Sequence, residues 1–221
     1  AIGYRALSAN TTASNNTAVG TDALLVNTTG ASNVAVGSYA LDALTTGSQH
    51  TAIGYAAAGA VTTANSLTAV GYQALLASTS GSDNSAVGEN TLYSCTTGSN
   101  NTGVGSCLRT LTTADANTAV GKDSLTTSNG AGNTALGYNC ASSVSTGTTN
   151  VAIGYQAGTD TVALTTGSNN VMIGGNVRTD AADGENQIVI GQNIAGASDN
   201  TVSLGKVGNF IYNTFTSDNS W

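Results

Sequence analysis

An aliphatic residue stands directly before a glycine at regular steps along the chain. The aliphatic residues are Ile2, Val19, Val36, Ile53, Val70, Val87, Val104, Val120, Leu136, Ile153, Ile173, Ile190 and Leu204. The first six steps between marker glycines, Gly3 to Gly105, are 17 residues each; those on to Gly205 are 16, 16, 17, 20, 17 and 14. The residue before each aliphatic one is small in most copies: Ala1, Ala18, Ala35, Ala52, Ala69, Ala86, Ala119, Ala135 and Ala152. A fixed internal period of this kind defines a repeat architecture. A unit of about 17 residues with β-branched residues and glycine punctuation reads as strand and turn, being too short for a helix pair.

Three further positions recur. Four residues before the marker glycine stands Asn16, Asn33, Asn84, Asn101, Asn117, Asn133, Asn150 or Asn170, replaced elsewhere by residues such as His50 and Leu67; Asn suits a turn entering a strand. After the glycine, Ala6-Leu7, Ala23-Leu24, Ala40-Leu41 and Ala74-Leu75 read as a second short strand. Thr28-Thr29-Gly30, Thr45-Thr46-Gly47, Thr96-Thr97-Gly98 and Thr165-Thr166-Gly167 read as the return loop.

The expectation is an all-β fold, a parallel β-solenoid of about 13 coils, in which each coil stacks about 4.8 Å from the next. Successive strand residues face opposite ways, so the aliphatic residue and the Ala before it lie on different faces, both apolar. The aliphatic row is expected inside its own coil, and the Ala row against sister chains, where small side chains let backbones approach. A closed cyclic assembly is the usual outcome of such packing.

The strings SNNTAVGTDAL, SNVAVGSYAL, LTAVGYQAL and TNVAIGYQAG resemble the head repeats of trimeric autotransporter adhesins, and similar strings occur in bacteriophage tail fibres. The resemblance implies a left-handed parallel β-roll and a homotrimer. It covers about Ala1 to Leu204, so residues 1–205 read as a β-roll shaft and residues 206–221 as a C-terminal cap or junction. That last segment gathers Phe210, Tyr212, Phe215 and Trp221. It resembles the stretch of tail fibres that precedes a self-cleaving intramolecular chaperone domain; read without the resemblance, it is an apolar lid on the last coil. The adhesin head repeat is usually nearer 14 residues, which implies a longer surface loop at Thr-Thr-Gly here.

Composition narrows the functional classes. Only 8% of residues are charged, against about a quarter in ordinary globular domains. The net charge of -7 has no basic cluster of the sort that neutralises phosphates, so nucleic acid is not an expected partner. No apolar run has the roughly 18 to 20 residues of a membrane span. Ala1 opens in the middle of a repeat with no Met before it, which suggests an upstream part.

Catalysis needs convergent, tunable groups. The chain has one His, scattered single carboxylates and no nucleophile motif, so it does not read as an enzyme, and no cofactor or metal set is indicated. His50 takes the Asn slot of its coil and reads as a structural turn residue. Cys95, Cys107 and Cys140 fit no metal or disulfide spacing and read as small buried fillers. Gly174-Gly175 lacks the strand-to-helix context of a phosphate loop and reads as turn glycines. The adjacent Thr pairs do not have the alternate spacing that an ice-binding face needs.

Tyr55 with Tyr72, and Tyr138 with Tyr155, each follow a marker glycine in successive coils and are expected to ladder. As exposed pairs they offer sugar rings a stacking surface; simple ladder packing is the plainer reading. Four sequons, at Asn10, Asn15, Asn27 and Asn100, are what an Asn- and Thr-rich repeat gives by chance. The sequence thus points to a structural and attachment protein, a homotrimeric tail-fibre or adhesin shaft in a virion or at a cell surface. Its partners would be copies of itself and a host surface glycan or receptor. The alternative is a bacterial surface adhesin or a subunit of an extracellular filament.

Overall fold

A computed structural model of the chain describes residues 1–214, and these fall into two compact units, the first ending at Asp115 and the second beginning at Ala116. Among the described residues there is no helix, and so none long and apolar enough to cross a membrane. In the first unit six three-residue strands, β1 (Thr17–Val19), β2 (Val34–Val36), β3 (Thr51–Ile53), β4 (Thr68–Val70), β5 (Ser85–Val87) and β6 (Thr102–Val104), pair in sequence order. Every pairing is parallel and joins equivalent repeat positions, Ala35 to Ala52 and Val36 to Ile53, for example. The unit is a parallel β-solenoid with a 17-residue coil.

The second unit repeats the scheme with β7 (Thr118–Val120), β8 (Thr134–Leu136), β9 (Val151–Ile153), β10 (Val171–Gly175), β11 (Ile188–Gln192) and β12 (Thr201–Lys206), again parallel. Gly174-Gly175 extend β10 and are not turn glycines. After Val207-Gly208 the chain reverses, and β13 (Asn209–Thr214) pairs antiparallel with β12. The expected aromatic cap falls partly beyond this point: Phe215 and Trp221 lie outside the described residues.

The two apolar faces are the reverse of the expectation. Ala18, Ala35, Ala52, Ala69, Ala86, Ala119, Ala135 and Ala152 are fully buried inside their coils, whereas the aliphatic row points outward. The reason is the width of the coil. Facing the Ala row across the interior are Leu24, Leu41, Leu75, Leu92, Leu108 and Leu125, all at zero exposure, and behind them Leu44, Val61, Cys95, Leu111, Val144 and Leu164. In the coils that carry this Leu, it fills the bore, and close packing leaves room for only a small side chain opposite it; where Gly158 takes the Leu place, Met172 lies fully buried in the Ala place. Cys95, Cys107 and Cys140 are all buried; burial pushes the Cys95 and Cys140 thiols up to about 11 and about 12, so neither is a reactive thiolate.

The Ala-Leu stretch is also different from the expected second strand. The second and fourth residues after the marker glycine are left-handed: Asp22 and Leu24, Tyr39 and Leu41, Gln73 and Leu75, Asn90 and Leu92 all have φ between 50° and 61°. Leucine in that region costs roughly 1–2 kcal/mol. The arrangement persists because it aims alternate N–H groups at alternate neighbours. Tyr39 N–H donates to Thr21 O of the coil before (2.9 Å), and Leu41 N–H to Ala57 O of the coil after (3.1 Å). The backbone is therefore laddered through the turn without strand geometry, which satisfies its buried polar groups.

Coils come into backbone contact at the marker glycines, whose φ runs from 118° to 154° at every copy but Gly105. A Cβ on Gly54 would lie 2.7 Å from the Gly71 carbonyl carbon. The return loop is tied down by threonine. Thr28, Thr45, Thr62, Thr79 and Thr96 each donate Oγ1–H to a Thr carbonyl of the following coil at 3.0–3.2 Å.

Candidate functional site

The Asn position is a buried ladder as well as a turn. Asn33 N–H donates to Asn16 Oδ1 (2.9 Å), while Asn33 Nδ2 donates to Gly47 O (3.1 Å). In the second unit the same pair of bonds recurs: Asn150 N–H to Asn133 Oδ1 (3.0 Å) and Asn150 Nδ2 to Gly167 O (2.9 Å), then Asn170 N–H to Asn150 Oδ1 (3.0 Å) and Asn170 Nδ2 to Gly184 O (2.7 Å). Each amide accepts from one backbone N–H and donates to one backbone carbonyl, the two needs that a buried turn leaves open.

His50 reproduces this chemistry with a ring. Its own N–H donates to Asn33 Oδ1 (3.0 Å), Nδ1 accepts from Leu67 N–H (3.2 Å) and Nε2 reaches Ala64 O (2.9 Å). An Nδ1 that accepts fixes the neutral tautomer with the proton on Nε2. Burial lowers its pKa from 6.5 to about 4. The imidazole is thus a structural member of the ladder, with both ring nitrogens used by the backbone.

Two surface features remain for function. The first is the outward aliphatic row. In the first unit Ile53 is 41% exposed and Val87 and Val104 40%; in the second Leu136 is 47% and Ile190 39%. Flanking positions on the same strand face are Thr17, Val34, Thr51, Thr68, Ser85 and Thr102, so this face carries no charge along the first unit. The second is the tyrosine set. Tyr55 and Tyr72 stack with centroids 5.5 Å apart and planes at 14°, and Tyr138 and Tyr155 at 5.6 Å and 17°. Both pairs expected to ladder are thus in contact. Tyr39, two residues after its glycine and not one, adds an edge contact to Tyr55 at 5.7 Å and 77°.

No group of three or more His, Cys, Asp or Glu side chains among the described residues is placed to hold a metal ion. Of the four sequons, Asn15 and Asn100 are exposed, Asn10 is half-buried and Asn27 is fully buried, with Nδ2 donated to Gly30 O at 2.9 Å. Asn27 is closed to modification in the folded coil. These features define the class of protein as a parallel β-solenoid repeat with an apolar outer face. Compared with known proteins, the chain matches no family model, no curated protein and no solved structure.

Proposed function

We propose that the chain is a segment of a fibre shaft with a structural and attachment role, in which three copies pack through the outward aliphatic row. The observation that carries this reading is the row itself: one Val, Ile or Leu per coil, outside a bore already filled, on a strand face without charge. Isolated exposed aliphatic side chains need no explanation, but a contiguous stripe marks an interaction surface. Covering each half-exposed side chain contributes about 1 kcal/mol, and the contributions accumulate along a stack.

The occupant is another copy of the same chain. A repeat with one period presents its apolar side chains at one spacing, and only a surface with that spacing meets them in register coil after coil. A second copy has it by construction. That the copies number three rests on the resemblance to adhesin heads and tail fibres. The same resemblance supports a place in a virion or at a cell surface and a host glycan or receptor as partner, with a bacterial surface adhesin or filament subunit as the alternative.

Sedimentation tests the assembly. The parent protein is expected to run as a trimer, and Ile53→Lys with Val87→Lys to shift it toward monomer with an unchanged far-UV spectrum, because both side chains sit outside the coil. A parent that sediments as a monomer defeats the reading.

A further inference from the structure

The residues that directly follow the marker glycines form a row along the stack, and the hydrogen bonds between coils fix its order. In the second unit Asn139 N–H donates to Lys122 O, Gln156 N–H to Tyr138 O, Asn176 N–H to Tyr155 O and Asn193 N–H to Gly175 O, all at 2.9–3.0 Å. The pairing of β10, β11 and β12 adds Gln192 beside Gly175 and Lys206 beside Gln192. The row therefore reads Lys122, Tyr138, Tyr155, Gly175, Gln192, Lys206. One place in it carries no side chain. The tyrosines of the first unit have no such gap beside them, since their run is Ser38, Tyr55, Tyr72 and Glu89.

The fold does not require a glycine at this place. Gly175 lies in β10 outside the left-handed region that Gly174 before it occupies at φ 131°, and a Cβ on it meets nothing within 4 Å. The missing side chain leaves one face of its neighbour uncovered. Tyr138 stacks on one face of Tyr155 at 5.6 Å, and the other face looks onto the empty place. Tyr155 is accordingly 56% exposed, more than Tyr55, Tyr72 or Tyr138. Across the gap stands Gln192, also exposed. Successive strands lie about 4.8 Å apart, so the Tyr155 and Gln192 rungs are separated by about 9.6 Å. A ring needs about 3.5–4 Å of clearance on each face. One ring fits between the two rungs, and two do not.

We propose that this slot binds the ring of a neutral pyranose sugar. The open tyrosine face takes the apolar C–H side of the ring. The hydroxyls at the ring's rim meet amides, which both donate and accept. Gln192 supplies one from the opposite wall. Asn193, exposed at the rim, supplies another: its Oδ1 already accepts from Asn176 Nδ2 at 2.8 Å, which leaves its own Nδ2–H groups to donate. A flat aromatic ring would cover the tyrosine but give these amides no partner. The lining of Tyr155, Gly175, Asn176, Gln192 and Asn193 carries no charge, and the charged members of the row, Lys122 and Lys206, stand behind Tyr138 and Gln192. A charge on the sugar therefore finds no counterpart in the slot.

The inference rests on the attachment reading and gives it a place and a ligand class, but one chain builds the slot, so it is tested apart from assembly. The probes are methyl β-glucopyranoside, whose equatorial hydroxyls leave both ring faces apolar, the open-chain polyol sorbitol, and indole. Each is measured by saturation-transfer NMR with the parent protein, and every sample is also sedimented. The glucoside is expected to bind at millimolar concentration, and sorbitol, which has hydroxyls but no ring face, at least about tenfold more weakly. Gly175→Tyr fills the slot and continues the stack, so it should abolish binding without lowering the melting temperature. Tyr155→Ala should weaken the glucoside at least about tenfold, and Tyr72→Ala, in the other unit, should change nothing. The proposal is overturned if the glucoside does not bind, if sorbitol binds as well, if indole binds more tightly, or if Gly175→Tyr retains binding. Loss of the trimer with glucoside binding retained would sink only the assembly reading, and an intact trimer that ignores the glucoside would sink only the slot.

Discussion

Gly54→Ala is expected to destabilise the first unit by about 4 kcal/mol or more, enough to open the stack locally. Two penalties coincide at this one methyl. The residue has φ 136°, a conformation that L side chains rarely adopt, and the added Cβ falls on the Gly71 carbonyl group of the next coil. That neighbour is backbone and is itself held by Gly71 N–H donating to Ile53 O at 2.8 Å. It cannot step aside without breaking the ladder. Gly175→Ala is the matched control, since a Cβ there meets nothing within 4 Å, and it should stay within about 0.5 kcal/mol of the parent. Amide exchange across β2 to β5 and a thermal melt of each variant measure the difference. Equal stabilities for the two variants would show that the marker glycines do not hold the coils in backbone contact.

The second large effect is a pH dependence that belongs to His50. Above pH 6.5 the imidazole is neutral whether folded or not, and its contribution is complete. Between 6.5 and about 4 the unfolded chain takes up a proton that the folded ladder refuses, so stability falls as the pH falls. The loss is on the order of 3 kcal/mol over that window, and it levels off below about pH 4, where the folded state is protonated too. Protonation would put a second donor on Nδ1 against the Leu67 N–H. His50→Asn should remove the dependence and keep the stability found at pH 7, because Asn supplies the same acceptor and donor in neighbouring coils. Asp42, whose carboxyl is pushed up mainly by burial, titrates in the opposite sense and is common to both proteins. The difference between their urea midpoints across pH 4 to 7 therefore isolates the imidazole. A parent and a His50→Asn variant with parallel pH profiles would rule the account out.

The stacked architecture was legible in the sequence because glycine cannot be replaced where coils touch, and that constraint writes the period directly. The two-faced strand was legible as well, from alternation alone. Which face lies inside was not, because alternation is symmetric between faces. Regularity suggested that the Val and Ile row was core, but the decision belongs to Leu24, Leu41 and Leu75, which fill the bore from the opposite wall. Those leucines were misread as strand because their left-handed backbone goes against their own propensity and is imposed by the ladder on both sides. The tyrosine pairs were readable from equal spacing.

Where successive coils meet at a marker glycine, no side chain lies between them, and one coil receives the next through groups that every coil carries. Whole coils could then be copied or deleted by recombination within the gene with no repair of the interior, since each new junction is the same as the old. Reach would become a heritable variable that changes in equal steps.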